Sequence, residues 1–265
     1  DNGIGAAAAM TVLQDKDMVH GPVEALFTCD EETGMTGANS LKPGLLEGDI
    51  LLNMDSEDEG ELYIGCAGGV DTVGVFEYKE EEVMPYVTPY KISVTGLKGG
   101  HSGLDINLGR GNANKIMNTL LMGIAEKFGA RLASIEGGSL RNAIPRESFA
   151  VVVVPDAKKD AFKEFVAKYE AESKAEFKKA DPGLMIRLER TVMPNKLIDK
   201  KTTGGLYQAV DKCPNGVIAM DKNMPDVVET STNLAVVKSG KGKIELASLQ
   251  RSAVDAEKAK VAKAI

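Results

Sequence analysis

The chain has 265 residues, of which 43% are hydrophobic and 27% are charged, and its formal net charge is −7. This composition is ordinary for a globular protein of one large domain or two modest ones. No run of 18 apolar residues is present, and no basic stripe with interleaved aromatic residues, so we expect neither a membrane span nor a nucleic-acid partner. Three cysteines, an odd number without zinc-ribbon spacing, indicate free thiols in a reducing compartment such as the cytoplasm.

The first 87 residues are predicted to alternate helices with apolar strands. Ala-rich residues 2–14 favour a helix behind an Asp1 or Asn2 cap. The further elements are strands at 22–28, 49–54, 61–66 and 70–79 and a short helix at 37–41. Strands that are apolar almost throughout and are separated by helices predict an α/β sheet covered on both faces. We interpret this region, 1–87, as an incomplete portion of a catalytic domain.

An acidic and proline-containing segment near residues 80–89 marks a predicted domain boundary, and residues 88–265 form the second predicted domain. Its first elements are strand 90–96, helix 112–128, strands 131–135 and 149–154, helix 161–179 and strand 184–192. This βαββαβ order is typical of a ferredoxin-like α+β sandwich. Beyond it we predict a helix at 206–212, a hairpin of strands 233–238 and 243–249, and a terminal helix at 253–265.

Acidic residues occupy the ends of two predicted strands. Glu31 and Glu32 follow the strand at 22–28, Asp55 follows the strand at 49–54, and Asp1 heads the first helix. Sites in open α/β sheets gather at the carboxyl ends of strands, and converging carboxylates need a cation between them. The pattern therefore predicts a divalent metal site, with one carboxylate free to act as a general base. The alternative is that these acids are loop residues or helix caps.

Three residues of the second domain are further candidates. His101 lies in a glycine-rich turn, Asn142 flanks a strand, and Arg251 ends a predicted strand, where its guanidinium could clamp a carboxylate. The alternatives are a turn histidine, a turn asparagine and a surface arginine. His20, before a Gly-Pro pair, is interpreted as a loop residue.

Several segments together resemble one enzyme family. Their order and spacing are similar to those of the co-catalytic di-zinc exopeptidases, which include glutamate carboxypeptidase, aminoacylase and carnosine-type dipeptidases. A closer resemblance is to the aminoacyl-histidine (Xaa-His) dipeptidases. The family motifs lie at 1–5, 28–34, 53–57 and 99–103, and the closer matches lie at 97–111, 138–146 and 228–237.

The resemblance implies a role for each candidate. Asp1 would bridge two zinc ions, Glu32 and Asp55 would each bind one of them, and Glu31 would be the general base. His101 would come from a lid and dimerisation domain, reach the active site of a partner subunit and polarise the scissile carbonyl. Asn142 and Arg251 would hold the substrate backbone and its free carboxylate. Two zinc ions are implied per active site, with cobalt or manganese as alternatives, in a cytoplasmic homodimer.

The sequence departs from the family at the nitrogen ligands. Family members have a His-x-Asp before the bridging Asp and a further His near the C-terminus, whereas the chain has only His20 and His101. We expect the missing ligands to lie outside this sequence, and the chain alone to bind zinc poorly and to be inactive. Two other functions stay open: another amide hydrolase of the family, such as a deacetylase or tripeptidase, and a non-catalytic binding or dimerisation module.

Overall fold

A computed structural model of the chain describes residues 2–55, 60–63 and 65–265, except for the side chains of Glu32 and Thr33. Contacts divide the chain into two compact units, Asp1–Ile64 and Gly65–Ile265. This division concerns contacts within the chain. The domains 1–87 and 88–265 stay a prediction about the complete protein.

The described residues of the first unit contain three helices. These are α1 (Gly3–Gln14), α2 (Glu31–Gly34) and α3 (Thr36–Asn39). The Asn2 side chain accepts a hydrogen bond from the Gly5 N–H at 2.8 Å and caps α1. Such a cap satisfies one of the unpaired N–H groups of the first turn. The predicted first helix and one of its two candidate caps are therefore confirmed.

The strands predicted at 22–28 and 49–54 are wrong. Neither segment is a strand. The described residues of the segment predicted at 61–66, which are 61–63 and 65–66, do not form a strand either. Apolar side chains in these segments are exposed, with Phe27 at 58% and Ile50 at 83%. An apolar run predicts burial, but a strand forms only where a neighbouring strand completes its backbone hydrogen bonds. The described part of this unit supplies no such neighbour.

The described residues of the second unit form twelve strands and four α-helices. The strands are β1 (Gly68–Glu77), β2 (Glu80–Glu81), β3 (Val87–Thr95), β4 (Gly100–His101), β5 (Arg131–Gly137), β6 (Ala143–Ile144), β7 (Ser148–Pro155), β8 (Met185–Arg190), β9 (Leu197–Ile198), β10 (Gly216–Met220), β11 (Val228–Gly240) and β12 (Lys243–Ser252). The helices are α4 (Ala113–Phe128), α5 (Lys159–Glu176), α6 (Lys200–Lys212) and α7 (Asp255–Ala264), with 3-10 turns at Ile106–Leu108 and Asp156–Lys158.

Eight strands join in one antiparallel sheet in the order β1-β12-β11-β5-β7-β3-β8, with β10 paired to β11. Strands β2 and β9 form one small ladder, and β4 and β6 form another. The predicted strand-helix-strand-strand-helix-strand order corresponds to β3, α4, β5, β7, α5 and β8. The mixed α/β class of the prediction is confirmed.

The core lies between this sheet and helices α4, α5 and α6. Alternate residues of β3, namely Tyr90, Ile92 and Val94, are buried on the helix side, as period-two alternation requires. The ring of Phe162 on α5 packs against Tyr90 with centroids 5.2 Å apart. From α4 the buried apolar side chains are Ala113, Ile116, Met117, Leu120, Leu121 and Ile124. The helices predicted at 112–128 and 161–179 are therefore confirmed.

Strand β11 connects the two parts of the large sheet. Its first half pairs with β10, and near its end only Val237 and Lys238 pair with Gly137 and Glu136 of β5. The hairpin to β12 closes through Lys241 and Gly242 at φ values of 52° and 77°, which suits a two-residue turn with left-handed residues. This confirms the predicted hairpin.

Polar side chains of α4 strengthen the junction between β5 and β11. The Asn114 amide donates to Gly137 O at 3.2 Å and to Ala235 O at 3.4 Å, so that it binds both strands. The Asn112 amide donates to Leu234 O at 2.9 Å. Both asparagines are buried.

No helix in the described part of the chain has both the length and the apolar character needed to cross a membrane. Cys29 and Cys66 are exposed and Cys213 is half-buried, and all three are free thiols, as predicted.

Candidate functional site

The acidic candidates belong to the first unit. Glu31 begins α2 and is exposed, and Asp55 is exposed with its own N–H bonded to Asn53 Oδ1 at 2.9 Å. Asp1 and the side chain of Glu32 lie outside the described residues. Among the residues that are described, no three His, Cys, Asp or Glu side chains form a group that could hold a metal ion. The convergence of the four carboxylates therefore stays a prediction.

The candidates of the second unit, by contrast, lie together. His101 of β4 pairs with Ala143 of β6, the residue after Asn142, and the Ser102 N–H donates to Asn142 O at 2.8 Å. Arg251 of β12 brings its Nη2 within 3.5 Å of His101 Nε2. Three residues that are far apart in sequence thus form one cluster, which we call the His101 site (His101, Asn142 and Arg251).

Glycine allows the chain to approach itself closely just before His101. Gly100 has φ 138°, and a Cβ atom there would lie 2.2 Å from Arg110 Nη1 and 2.4 Å from Asp105 Oδ2. A φ of this value is strained for residues that carry a side chain, and it favours glycine. The glycine-rich sequence around His101 is therefore needed to form the turn.

Asp105 and Arg110 hold the turn in one conformation. Asp105 Oδ2 accepts from the His101 N–H at 2.8 Å and forms an ion pair with Arg110 Nη1 at 3.2 Å. The Asp105 N–H donates in return to His101 O at 2.9 Å, and Arg110 donates to Gly99 O. The position of the His101 backbone is thus fixed by reciprocal hydrogen bonds. Neither Asp105 nor Arg110 was predicted from the sequence to have this role.

Hydrogen bonds around the His101 ring favour one tautomer. Nδ1 accepts from the N–H groups of Gly103 at 3.3 Å and Leu104 at 3.2 Å. An acceptor carries no proton, so the proton of the neutral ring is on Nε2. Burial lowers the pKa of His101 below its usual 6.5, and the Arg251 charge lowers it further, whereas Asp105 acts in the opposite direction. We therefore expect a neutral ring at pH 7 that donates through Nε2.

Arg251 is half-buried and presents donors to the same place. Burial lowers the pKa of its guanidinium, which Asp71 counteracts, and arginine stays charged throughout the physiological range. Its Nε is buried without a hydrogen-bond partner in the described part of the protein. His101 Nε2 and Arg251 Nη2 are both donors, so they cannot bond to each other. They can both donate to one oxygen atom placed between them, such as that of a carbonyl or carboxylate.

Asn142 is exposed in a turn whose backbone is fixed from two sides. The preceding residue, Arg141, forms an ion pair with Asp71 of β1 at 2.5 Å. On the side of β11, the Asn233 amide donates to Ala143 O at 2.8 Å and to Arg141 O at 3.4 Å. Asn233 is 1% exposed, and its Oδ1 has no partner among the described residues. We missed this residue, although a buried-type strand that contains an asparagine is unusual enough to be a signal.

Asp181 anchors both ends of the segment that carries His101. Its carboxylate is 1% exposed and accepts from the Lys98 N–H at 2.7 Å and from the Gly111 N–H at 2.6 Å. The carboxylate thereby closes the loop between residues 98 and 111 at its base. No local pattern in the sequence identified this role, because Asp181 is distant from the loop along the chain.

Residues 92–181 match the family model of the peptidase dimerisation domain M20_dimer. The chain is 42% identical over 258 residues to the cytosol non-specific dipeptidase of Escherichia coli K12, which corresponds to 97% of this chain and 53% of that protein.

A solved structure gives the same result for the fold. The chain matches the crystal structure of aminoacylhistidine dipeptidase from Vibrio alginolyticus with a TM-score of 0.85 and 42% identity, over 98% of this chain and 53% of the other. The predicted resemblance to these dipeptidases is confirmed. The chain spans about half the length of the relatives that it matches.

Proposed function

We propose that the complete protein is a metal-dependent dipeptidase, and that it hydrolyses Xaa-His dipeptides. The observation that carries this proposal is the close relationship of nearly the whole chain to two proteins named as dipeptidases, one of them an aminoacylhistidine dipeptidase. The His101 site supports it independently, because its two convergent donors suit the oxygen atoms of a peptide substrate.

The metal ions are proposed to be zinc, with cobalt or manganese as alternatives. The ligands that we propose are Asp1, Glu32 and Asp55. Of these, the described Asp55 carboxylate is exposed and has the oxygen chemistry that zinc accepts, but the described residues contain no group of three His, Cys, Asp or Glu side chains that could hold a metal ion. We therefore propose that the missing ligands lie outside this sequence, and that the segment alone is inactive. When bound, the ions would lower the pKa of a water molecule towards neutrality.

Glu31 is proposed as the general base. It is exposed at the start of α2, where its carboxylate can accept a proton from the attacking water. The same carboxylate then passes the proton to the nitrogen of the leaving amine, so that the number of protons balances over the cycle.

The residues of the His101 site are proposed to bind the substrate. Neutral His101 donates its Nε2 proton to the carbonyl oxygen as negative charge develops there. Arg251 binds the free C-terminal carboxylate, and Asn142 holds the substrate backbone. Hydrogen bonds fix the His101 ring and backbone, and the Ser102 N–H bonds to the backbone oxygen of Asn142.

The protein is further proposed to act as a homodimer in the cytoplasm. The match of residues 92–181 to a dimerisation domain supports the first part, and the cytosolic relative supports the second.

The test compares Glu31→Gln with the matched control Glu47→Gln, at an exposed glutamate, in the complete protein. We expect Glu31→Gln to abolish hydrolysis of an Xaa-His dipeptide while the zinc content by elemental analysis stays unchanged, and the control to remain active. Activity retained in Glu31→Gln would remove Glu31 from the role of base. A wild-type protein without metal or peptidase activity would refute the proposed function.

Substrate selectivity distinguishes the alternatives. We expect Arg251→Met to raise KM about 10- to 100-fold for a dipeptide with a free carboxylate, the cost of one lost charged hydrogen bond, and to leave a dipeptide amide nearly unaffected. Preferred hydrolysis of N-acetyl amino acids or tripeptides would instead favour another amide hydrolase of the same family.

A further inference from the structure

We propose that one internal water molecule binds at the buried side of Arg251, and that through this water Ser102 and Asn233 are positioning residues for its guanidinium. The atoms that would bind the water are Ser102 Oγ, Asn233 Oδ1 and Arg251 Nε, and none of them has a hydrogen-bond partner among the described residues. Buried polar groups are nearly always paired, because an unpaired one costs free energy. The inference rests on the proposed function, in which Arg251 binds the substrate carboxylate.

Asn233 and Arg251 lie on the same face of the hairpin formed by β11 and β12. In this ladder Asn233 pairs with Leu249, and Ser231 pairs with Arg251, so Asn233 and Arg251 are diagonal neighbours. Diagonal neighbours are within reach of each other when one side chain is long, as that of arginine is. The acceptor Oδ1 and the donor Nε are therefore close, although no direct hydrogen bond joins them in the described structure.

The nitrogen of the Asn233 amide determines which way this side chain is turned. Nδ2 donates to Ala143 O at 2.8 Å and to Arg141 O at 3.4 Å. Carbonyl oxygens only accept, so the nitrogen must face them and Oδ1 is the atom that remains for another donor. These bonds also join β11 to the residue that pairs with His101, since Ala143 is its partner in the β4–β6 ladder.

Ser102 lies at the other side of the same segment. Its N–H donates to Asn142 O at 2.8 Å, and its side chain is 2% exposed, so the hydroxyl faces the interior. The next residue, Gly103, lies against the arginine: a Cβ atom there would be 3.5 Å from Arg251 Cδ, the carbon bonded to Nε. The Ser102 hydroxyl therefore belongs to the same group of buried polar atoms as Oδ1 and Nε.

One water molecule satisfies all three atoms. It accepts from the Arg251 Nε–H, donates to Asn233 Oδ1 and forms its third hydrogen bond with the Ser102 hydroxyl, which can donate or accept. Three hydrogen bonds are typical of an internal water. An ion does not suit this set of groups, because the guanidinium repels a cation and Oδ1 repels an anion.

The water would fix the guanidinium of Arg251 before substrate binds. With Nε held, the guanidinium plane cannot turn freely, and Nη2 stays directed to the place beside His101 Nε2, from which it is 3.5 Å distant. Ordering a long side chain costs conformational entropy, and a side chain that is already ordered does not incur this cost on binding. We therefore expect Ser102 and Asn233 to affect KM for substrates with a free carboxylate.

The first experiment is a crystal structure of the complete protein at a resolution that shows ordered water. We expect one water within hydrogen-bonding distance of Ser102 Oγ, Asn233 Oδ1 and Arg251 Nε in the wild type, and no such water in Asn233→Leu. No ordered water at this place in the wild type, or a direct bond between Nε and Oδ1, would overturn the proposal. This measurement does not depend on peptidase activity.

The second experiment compares Ser102→Ala with the wild type. Removal of a buried hydroxyl without a partner would leave Tm unchanged or raise it, whereas removal of one that binds the water should lower Tm by about 1–2 °C. We also expect KM for a dipeptide with a free carboxylate to rise about threefold to tenfold, the cost of one hydrogen bond, with kcat nearly unchanged. A dipeptide amide should be unaffected.

Thr232→Val is the matched control, because Thr232 is also 1% exposed but lies on the opposite face of β11 from Asn233. We expect its KM to equal that of the wild type. A Ser102→Ala variant with the Tm and KM of the wild type would count against the water, as would an equal rise of KM in the control. A wild type that hydrolyses no dipeptide would instead refute the proposed function, and the crystal structure would still decide whether the water is bound.

Discussion

Replacement of Asp181 tests whether this buried carboxylate stabilises the segment that carries His101. In Asp181→Ala the N–H groups of Lys98 and Gly111 lose their acceptor in a region where Asp181 itself is 1% exposed. Each unsatisfied buried donor costs about 1–3 kcal/mol, so we expect a loss of roughly 4 kcal/mol in the free energy of unfolding. Asp181→Asn keeps one acceptor oxygen and should lose about half as much.

The assay is urea unfolding at constant m-value, combined with amide exchange at Lys98 and Gly111. Asp226→Ala, an exposed aspartate in the loop before β11, is the control and should change stability by less than about 0.5 kcal/mol. Faster exchange of the two amides is expected in both Asp181 variants. A cost below about 1 kcal/mol for Asp181→Ala, or unchanged exchange, would refute the argument that this carboxylate closes the loop.

Two further predictions concern charged groups of the second unit. Burial and Arg251 lower the pKa of His101 in the folded protein. As the pH falls to about 6.5, the unfolded chain therefore takes up a proton on His101 before the folded protein does. The stability contributed by neutral His101 is present above pH 6.5 and is lost as the pH falls below it. Arg251→Met should raise the pKa of His101, measured by NMR titration. The His20→Gln variant identifies the signal of the other histidine. A lower or unchanged pKa of His101 in Arg251→Met would contradict the proposed electrostatics. Lys115 Nζ donates to Val210 O and Cys213 O at the end of α6. Lys115→Met should therefore lower the free energy of unfolding by about 2 kcal/mol, measured by thermal unfolding. An unchanged free energy of unfolding would show that these bonds make no net contribution.

Much of the second unit follows from local sequence patterns. Helices α4 and α5 have apolar residues at helical spacing, and the glycine that ends α4, Gly129, has φ 71°, as a helix C-terminus often requires. The hairpin of β11 and β12 follows from two alternating segments around a glycine-containing turn. In these elements the partner that satisfies the backbone is close in sequence, so that the pattern and the structure agree.

The strands predicted in the first unit fail for the opposite reason. Residues 22–28 and 49–54 have the apolar composition of buried strands, but neither has a paired strand among the described residues. Apolar composition indicates that a segment favours burial, but it does not show whether a neighbouring strand is present to complete the backbone hydrogen bonds.

The candidate site was predictable only in part. The sequence made His101 and Arg251 candidates, the family resemblance implied their roles, and the structure brings Arg251 Nη2 within 3.5 Å of His101 Nε2. The residues that hold the site together, such as Asn233 and Asp181, were missed because their contacts join segments that are distant along the chain. Long-range hydrogen bonds leave no periodic signal in a single sequence.

The short junction between β11 and β5 has a mechanical consequence. Two residue pairs are all that the β5–β11 ladder provides in the described structure, while the β11–β12 ladder runs along nearly the whole hairpin. A force that draws the two parts of the sheet apart would therefore tear it along this line and leave the hairpin whole. The Asn114 amide bonds to both β5 and β11. Under such a force its two hydrogen bonds would carry part of the load, which in the longer β11–β12 ladder is shared by many backbone hydrogen bonds.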